Sequence, residues 1–284
     1  MNIRTLALLL MILTATAGAL SQKFIEEKLE PAILEVTYER IKVLDTLDAS
    51  NDWKKDVLTL TIGQTKSAFY SKSLKVQDSL ERRYPDYASE RLRDPNRYSI
   101  KASLPREVVY KNYPENKIRV MDRYDLCNWI IDEDWEKPEW EIDDSTKVIM
   151  DYECVMACAN FRGRKWIAWF AADIPIQEGP WKLCGLPGLI LEAYDSKHHY
   201  TYEATSLKVE HVGFVEYFDY QTLNRFVEKN RRKGLSRKQK YIHEDLQYMV
   251  LTSSEYGINK KGVKKRDKIP HTNYDFEETD YPHE

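Results

Sequence analysis

The sequence predicts a mainly β protein: a curved antiparallel sheet or half-barrel of about eight to ten strands, with two C-terminal helices covering one face or edge. Three observations carry this expectation. Runs rich in β-branched and aromatic residues with partial period-two alternation recur between residues 33 and 217, the signature of half-buried strands. Aromatic residues make up 12% of the 284-residue chain, with 19 tyrosines, a composition that suits pleated surfaces better than disorder. After residue 219 the apolar spacing changes to mixed threes and fours, which reads as helix.

In chain order, residues 22–31 form a short polar segment ended by Glu30-Pro31. Residues 33–44, 56–62 and 65–71 then read as an antiparallel meander. Leu74, Val76, Leu80 and Tyr84 stand at near-helical spacing in a charged stretch, so a short surface helix and a loop are expected over 72–92. Residues 106–113 and 117–124 flank Pro114-Glu115-Asn116 as a hairpin. Strand character returns at 125–131 and at 147–158, and the latter pairs with 164–171 across Asn160-Phe161-Arg162-Gly163. A further hairpin joins 189–195 to 199–206 through Ser196-Lys197-His198, and 209–217 adds a last strand. Residues 219–232 and 236–251 are expected to be the two helices, broken at Gly234. From residue 257 the chain runs basic and then acidic, which predicts a charged, flexible or loosely docked tail over 257–284. The ordered part is expected to be a single domain spanning 22–256.

The first residues combine Arg4, an apolar stretch from Leu6 to Leu13 and small residues at Ala17, Ala19 and Ser21. This pattern reads as a signal peptide over 1–21, too short in its apolar part to span a membrane. No transmembrane segment is expected after its removal, and the protein is placed in the periplasm or outer envelope. The formal net charge of −3 gives no general attraction to nucleic acid or anionic lipid. In an oxidising compartment Cys127, Cys154, Cys158 and Cys184 are disulfide candidates with three pairings open. On one strand Cys154 and Cys158 would share a face about 13 Å apart, beyond the about 7 Å limit for a bridge. Two pairings remain, of which Cys154 with Cys184 and Cys127 with Cys158 is preferred, and buried free thiols are the competing reading.

The densest local signal is Gly179 to Tyr194, where Gly179, Pro180, Trp181, Cys184 and Gly185 precede Leu186-Pro187-Gly188-Leu189 and an aliphatic run. Pro187 followed by Gly188 predicts a type II turn with positive φ at Gly188. No charged, nucleophilic or metal-binding side chain lies in that turn. The prolines at 175, 180 and 187 are expected to follow trans peptide bonds.

Other constellations read as bland. His243-Glu244 lacks the histidine four residues on, so the zinc-protease reading fails on ligand count. The acidic run from Asp132 to Asp144 has Lys137 where an EF-hand needs glycine, and reads as a solvated loop carrying partly buried Trp135 and Trp140. His198 and His199 sit in a turn where exposure is ordinary. Cys184 beside Gly185 could serve as a nucleophile, but a disulfide role is favoured. The basic stretch Lys229, Arg231, Arg232, Lys233, Arg237, Lys238 and Lys240 reads as a solvated helical face. No cofactor-binding motif is found, and no cofactor is expected.

The centre of the chain resembles the GLPGLI family of exported proteins from Gram-negative bacteria. The resemblance rests on Tyr152-Glu153-Cys154, Phe161-Arg162-Gly163-Arg164, Ala168-Trp169-Phe170, Asp173-Ile174-Pro175-Ile176, Gly179-Pro180-Trp181 and the hexapeptide Gly185 to Ile190. It implies export and a β-rich fold, and it brings no reaction and no catalytic residues. The expected function is a non-enzymatic envelope protein that binds an apolar ligand or a protein partner on its sheet. Two alternatives stand beside it: a thiol-dependent or other hydrolase using Cys184 or Cys158 with His198 or His199, and a structural component of the envelope that meets a partner through Arg231 and Arg232.

Overall fold

The computed structural model of the chain describes residues 23–43, 46, 53–83, 107–124, 127–221, 224–240 and 276–282. The expected signal peptide and the second half of the expected helical region, 241–251, lie outside these residues. Fourteen strands are present among the described residues: β1 (Lys23–Pro31), β2 (Leu34–Val43), β3 (Trp53–Ile62), β4 (Ser67–Tyr70), β5 (Val108–Lys111), β6 (Lys117–Tyr124), β7 (Cys127–Asp134), β8 (Glu141–Ile149), β9 (Tyr152–Phe161), β10 (Arg164–Ala171), β11 (Leu189–Asp195), β12 (Tyr200–Lys208), β13 (Phe214–Gln221) and β14 (Asn224–Glu228). Two helices accompany them, α1 (Lys72–Arg83) and α2 (Arg231–Lys240).

Twelve strands form one sheet in the order β14-β7-β6-β5-β4-β3-β2-β12-β11-β10-β9-β8, and β1 pairs with β13 separately. The large sheet is two meanders, β2 to β7 and β8 to β12, joined where β12 pairs antiparallel with β2. β14 alone runs parallel to its neighbour, β7. The sheet is not closed into a barrel. It must nevertheless curl, because residues 135–140 join β7 to β8 across ten strand spacings. Ten spacings of about 4.8 Å would be roughly 48 Å on a flat sheet, and the connection reaches about 25 Å at most.

Strand alternation assigns each side chain to one of two faces. The inner face carries Tyr38, Leu58, Leu60, Phe69, Val109, Ile118, Val120, Ile131, Phe161, Trp166, Phe170 and Tyr202, all buried in one core. On the outer face, Ala68, Tyr70, Val108, Tyr110, Met121 and Ile130 form a second core under Val215, Tyr217 and Phe218 of β13. The β1–β13 pair thus covers the outer face of one meander. Trp166 and Trp169 take opposite faces of β10, as alternation predicts: Trp166 is fully buried and Trp169 half-buried.

Several expectations are corrected. The strand count exceeds eight to ten. Residues 23–31 of the expected polar segment form strand β1, stabilised by pairing with β13. The expected strand 147–158 is broken by a turn at Met150-Asp151, both at positive φ, so 141–149 is strand rather than solvated loop. Within the first expected C-terminal helix, 219–232, residues 219–221 end β13 and 224–228 form β14, and α2 starts at Arg231 and runs through Gly234, the expected breaker. Phe226 stacks on Trp129 at 4.9 Å, a tertiary contact that strand pairing with β7 supplies and local periodicity does not encode. Residues 276–282 of the expected flexible tail are packed, with Phe276, Glu277, Glu278 and Tyr281 buried.

Residues 172–188 form a loop that folds over the inner face. Its backbone is tied by Gly185 N–H to Gln177 C=O, Leu189 N–H to Ile174 C=O and Ile190 N–H to Glu178 C=O, each 3.0 Å. Trp181 inserts between Trp166 and Phe161, with ring centroids at 5.5 and 6.1 Å. The expected type II turn is not formed. Positive φ falls at Gly185, +93°, and not at Gly188. Gly188 is required for a different reason: a Cβ there would lie 2.2 Å from the Ala171 carbonyl oxygen, so the loop enters β11 only by backbone contact with the end of β10. The cis peptide bond among the described residues is Tyr113–Pro114. Gly188→Ala is expected to cost about 2–3 kcal/mol through overpacking. Gly213→Ala, with φ +88° and open space around it, is expected to cost about 1–2 kcal/mol from backbone strain alone. Urea unfolding midpoints of the two variants measure the difference.

Candidate functional site

Titratable side chains converge on the inner face where the loop 172–188, α2 and residues 276–282 meet. The last segment is extended and without regular structure, and is called the strap below. Lys182 is 1% exposed and its ammonium bridges Glu133 of β7 and Glu278 of the strap. Glu133 also accepts from Arg162 at 2.9 Å and lies 3.3 Å from the Arg231 guanidinium. Arg231 in turn reaches Glu278, and grips Asp280 through two hydrogen bonds of 2.6 Å. A second centre lies across the strap, where Arg40 of β2 bridges Asp56 at 2.7 Å and Glu277 at 2.9 Å. Arg164 donates to the Phe276 carbonyl at 2.6 Å and to Asp195 at 3.1 Å.

Local folding places each group. Arg162 and Gly163, both at positive φ, make a two-residue hairpin turn of the type whose twist matches its strands. This turn aims Arg162 at Glu133 and Glu136 on one side. A Cβ on Gly163 would meet the strap at Thr279 and Asp280, so glycine here serves both the turn and the close approach. On the loop's far side Lys111 of β5, fully buried, caps the carbonyls of Gly179 at 2.8 Å and Leu183 at 3.3 Å and pairs with Glu178 at 2.5 Å. The two buried lysines thus hold the loop from opposite sides.

Burial disfavours the Lys182 ammonium, yet Glu133 and Glu278 raise its pKa above the ordinary lysine value. Burial likewise opposes the Glu277 carboxylate, but Arg40 and Lys42 hold its pKa below the ordinary range. Burial pulls Lys42 down to about 7. A pocket lined by Glu107, Asp122, Trp129, Lys182, Arg231 and Lys238 among others encloses about 20 Å³, room for about one water molecule. It is too small for an organic ligand. Among the described residues no group of three or more histidine, cysteine or carboxylate side chains could hold a metal ion.

The cysteines do not follow the expected pairing. Cys154, Cys158 and Cys184 are free thiols, and the Cys127 side chain lies outside the described residues. Cys154 lies on β9 and is buried in the same core as Leu183 and Leu186 of the loop, yet its thiol and that of Cys184 are both free. Burial raises the Cys154 thiol to about 11 and pushes the Cys184 thiol up as well, which disfavours thiolate at neutral pH. Cys158 is aligned through Ile167 with Tyr194, on which His198 stacks at 4.5 Å. Two strand spacings, about 10 Å, separate Cys158 from that tyrosine. His199, expected to be exposed, is buried, with Nδ1 3.3 Å from the Arg164 guanidinium.

The basic stretch of α2 is likewise only partly a solvated face. Arg231 is internal, Arg237 lies over the Trp129 ring at 5.2 Å, and Lys238 pairs with Glu107 and Asp122. Arg232 remains exposed, 64% for its side chain. Of the predicted motif residues, the structure gathers Gly179, Pro180, Trp181, Gly185, Leu186, Pro187, Gly188, Leu189 and Ile190 with Arg162, Gly163 and Arg164 around the inner face, and sends Trp169 to the outer one. Sequence reasoning missed Glu133, Lys111, Lys182, Glu277 and Glu278. A lysine directly after the apolar run Val108–Tyr110 and another inside Trp181–Leu186 were the available signals for two of them.

On the outer face of β9 to β12 and β2 several described side chains are only partly buried. Two aligned rows cross it: Cys158, Ile167, Tyr194, Thr201 and Ile41, and beside them Met156, Trp169, Glu192, Glu203 and Glu39. Lys147 lies over the Trp169 ring at 4.3 Å and pairs with Glu192 at 2.7 Å.

The fold and the site define a class: a mainly β protein with an open, curled sheet whose inner face is filled by its own loop and strap. Residues 161–192 match the family described as "Protein of unknown function (Porph_ging)". No curated protein matches the chain. Solved structures of PNGF-II in two space groups, P21 and C2, are similar at 16% identity and a TM-score of 0.46, covering 74% and 72% of this chain. The chain spans about a third of the length of those structures, 32% of each.

Lys182→Met is expected to destabilise by about 3–5 kcal/mol, because it strands two buried carboxylates. Lys72→Met, which removes an exposed partner of Glu35, should cost less than about 1 kcal/mol. Chemical denaturation of both variants checks the contrast. Because the folded pKa of Glu277 lies below its unfolded value, its contribution is present above the ordinary glutamate range and is lost as pH falls through the folded pKa. Stability of the native chain should therefore fall more steeply between pH 5 and about pH 3 than that of Glu277→Gln, measured as urea midpoints across that range.

Proposed function

We propose that this is an exported, non-enzymatic envelope protein of the GLPGLI type that docks a protein partner on the outer face of its sheet. The observation that carries this reading is the uncovered half of that face. The β1–β13 pair buries the outer face of one meander. The other meander keeps Met156, Ile167, Trp169 and Tyr194 half-buried in adjoining rows, with Glu192, Glu203 and Glu39 continuing one of them. A contiguous apolar surface bordered by polar groups is the composition of a protein interface. Edge strand β8 extends the surface, with Ile142 and Val148 57% and 72% exposed and, among the described residues, a strand partner on one side only.

The same geometry favours a protein over a small apolar ligand. The inner face, where a carrier would keep its cavity, is occupied by Trp181, Leu183 and Leu186 of the loop. The match at 161–192 overlaps the segments that resemble the GLPGLI family, and the N-terminal pattern supports export.

The test is site-specific photo-crosslinking in cells that export the protein. A photoreactive side chain at position 167 or 194 should yield one discrete adduct, absent from position 136 and abolished by Trp169→Glu. Equal labelling at all three positions, or none at any, would sink the reading. A native mass exceeding the denatured mass by a small molecule would replace it with ligand carriage.

A further inference from the structure

The strap is held as a peptide ligand is held. Residues 276–282 pair with no strand and belong to no helix, and 35 residues separate them from the end of α2. Every part of the segment nevertheless meets a built partner. The carbonyls of Phe276 and Glu277 accept from Arg164. Glu277 receives Arg40, Glu278 receives Lys182 and Arg231, and Asp280 receives both ends of the Arg231 guanidinium. Thr279 donates its N–H to Arg162 C=O and its hydroxyl to Gly163 C=O, each at 2.9 Å. Ser236 of α2 donates to Pro282 C=O at 2.7 Å. Phe276 and Tyr281 sit on Leu235 in a small cluster separate from the two sheet cores.

The charge count of the groove says what it accepts. Without the strap three cations lose a carboxylate: Arg40 loses Glu277, and Lys182 and Arg231 lose Glu278, with Asp280 lost to Arg231 as well, while Glu107 and Asp122 at the same site are already paired with Lys238. Buried cations without counter-charge are costly. The groove therefore requires an anionic occupant, and its spacing demands two adjacent acids, a third two residues on, and an aromatic side chain on each flank.

We propose that this groove is a recognition site for an acidic, aromatic-flanked peptide segment of a partner protein, and that the chain's own residues 276–282 occupy it as an exchangeable competitor. The strap contributes two aromatic side chains and otherwise ionic and backbone contacts, so its release leaves both sheet cores intact. This site is on the inner face, separate from the outer surface proposed above, and either stands if the other fails.

The test uses the full chain with a protease site placed at residues 268–272, cut after folding. A fluorescent peptide of residues 273–284 is then added and followed by anisotropy and native mass spectrometry. The labelled peptide should replace the cut strap. Its Glu277→Gln/Glu278→Gln form should bind at least about tenfold more weakly, as expected for losing charge-assisted hydrogen bonds, and binding should weaken with salt. As a second variant, the uncut chain carrying Phe276→Ala and Tyr281→Ala loosens the competitor without altering the groove, and should bind the peptide more tightly than the native chain. A cut strap that never exchanges while circular dichroism shows a folded protein, together with no peptide binding to the uncut variant, overturns the proposal. Equal affinity for the native and Gln peptides overturns it as well. Dimers of the uncut variant that refuse the peptide would assign the groove to a second copy instead of a partner.

Discussion

The ammonium of Lys182, buried between the carboxylates of Glu133 and Glu278, is the constraint on which the inner face depends. It joins three parts that are remote in sequence: the loop 172–188, strand β7 and the strap. In a low-dielectric interior neither carboxylate tolerates loss of that cation, and the cation does not tolerate loss of both. Glu133 and Glu278 also share Arg231, which brings α2 into the same centre. The network is weak as a source of net stability, since a well-packed apolar replacement of equal volume could match it. It is strong as a source of uniqueness, because only one placement of loop, helix and strap satisfies every charge.

That centre also explains the curl of the sheet. The β9–β10 turn reaches β7 through Arg162 and Glu133, although the two strands stand far apart in the hydrogen-bonded order. The short connection 135–140 demands that the sheet bend, and Trp135 and Trp140 on that connection pack against the inner core. The indole N–H of Trp140 donates to Cys184 C=O at 2.9 Å, so the connection is fastened to the loop it encircles. The loop is therefore the filling around which the sheet closes partway. This gives a physical reason for two glycines: Gly188 allows backbone contact with Ala171, and Gly179 sits under Ile190, whose Cδ1 would be 2.8 Å from an added Cβ.

Most strands were legible because period-two alternation reports one buried face, as at Trp166 and Trp169. The failures have particular causes. Leu223, Phe226 and Val227 have spacing that suits a helix, and only the stack of Phe226 on Trp129 and pairing with β7 settle Phe226 and Val227 as strand. Residues 23–31 carry five charges in nine positions, which hides a strand whose partner lies nearly two hundred residues away. At the site, Arg162 and Arg164 were legible from their hairpin glycine, but their partners were not. Glu278 lies 96 residues from Lys182 and Glu277 lies 237 from Arg40, and an acidic tail has no local pattern that distinguishes a buried carboxylate from a solvated one. The thiols misled for a related reason: an export pattern predicts disulfides, but Cys154 and Cys184 are buried free thiols, and no spacing rule distinguishes a buried thiol from a bridged one.

The two faces of the sheet are finished by different chemistry, and this sets what each can do. The outer face of the first meander is sealed by the tyrosine and phenylalanine side chains of β13, a contact whose strength depends on area and little on pH or salt. The inner face is sealed by the strap largely through ion pairs, whose strength depends on protonation and on the order of the groups. Apolar sealing makes a permanent layer. Ionic sealing by an extended segment makes a selective one, because a wrong occupant leaves a buried charge unmatched and pays the full desolvation cost. The structure therefore combines a β scaffold with one groove closed by ion pairs and one sheet surface that is partly exposed among the described residues.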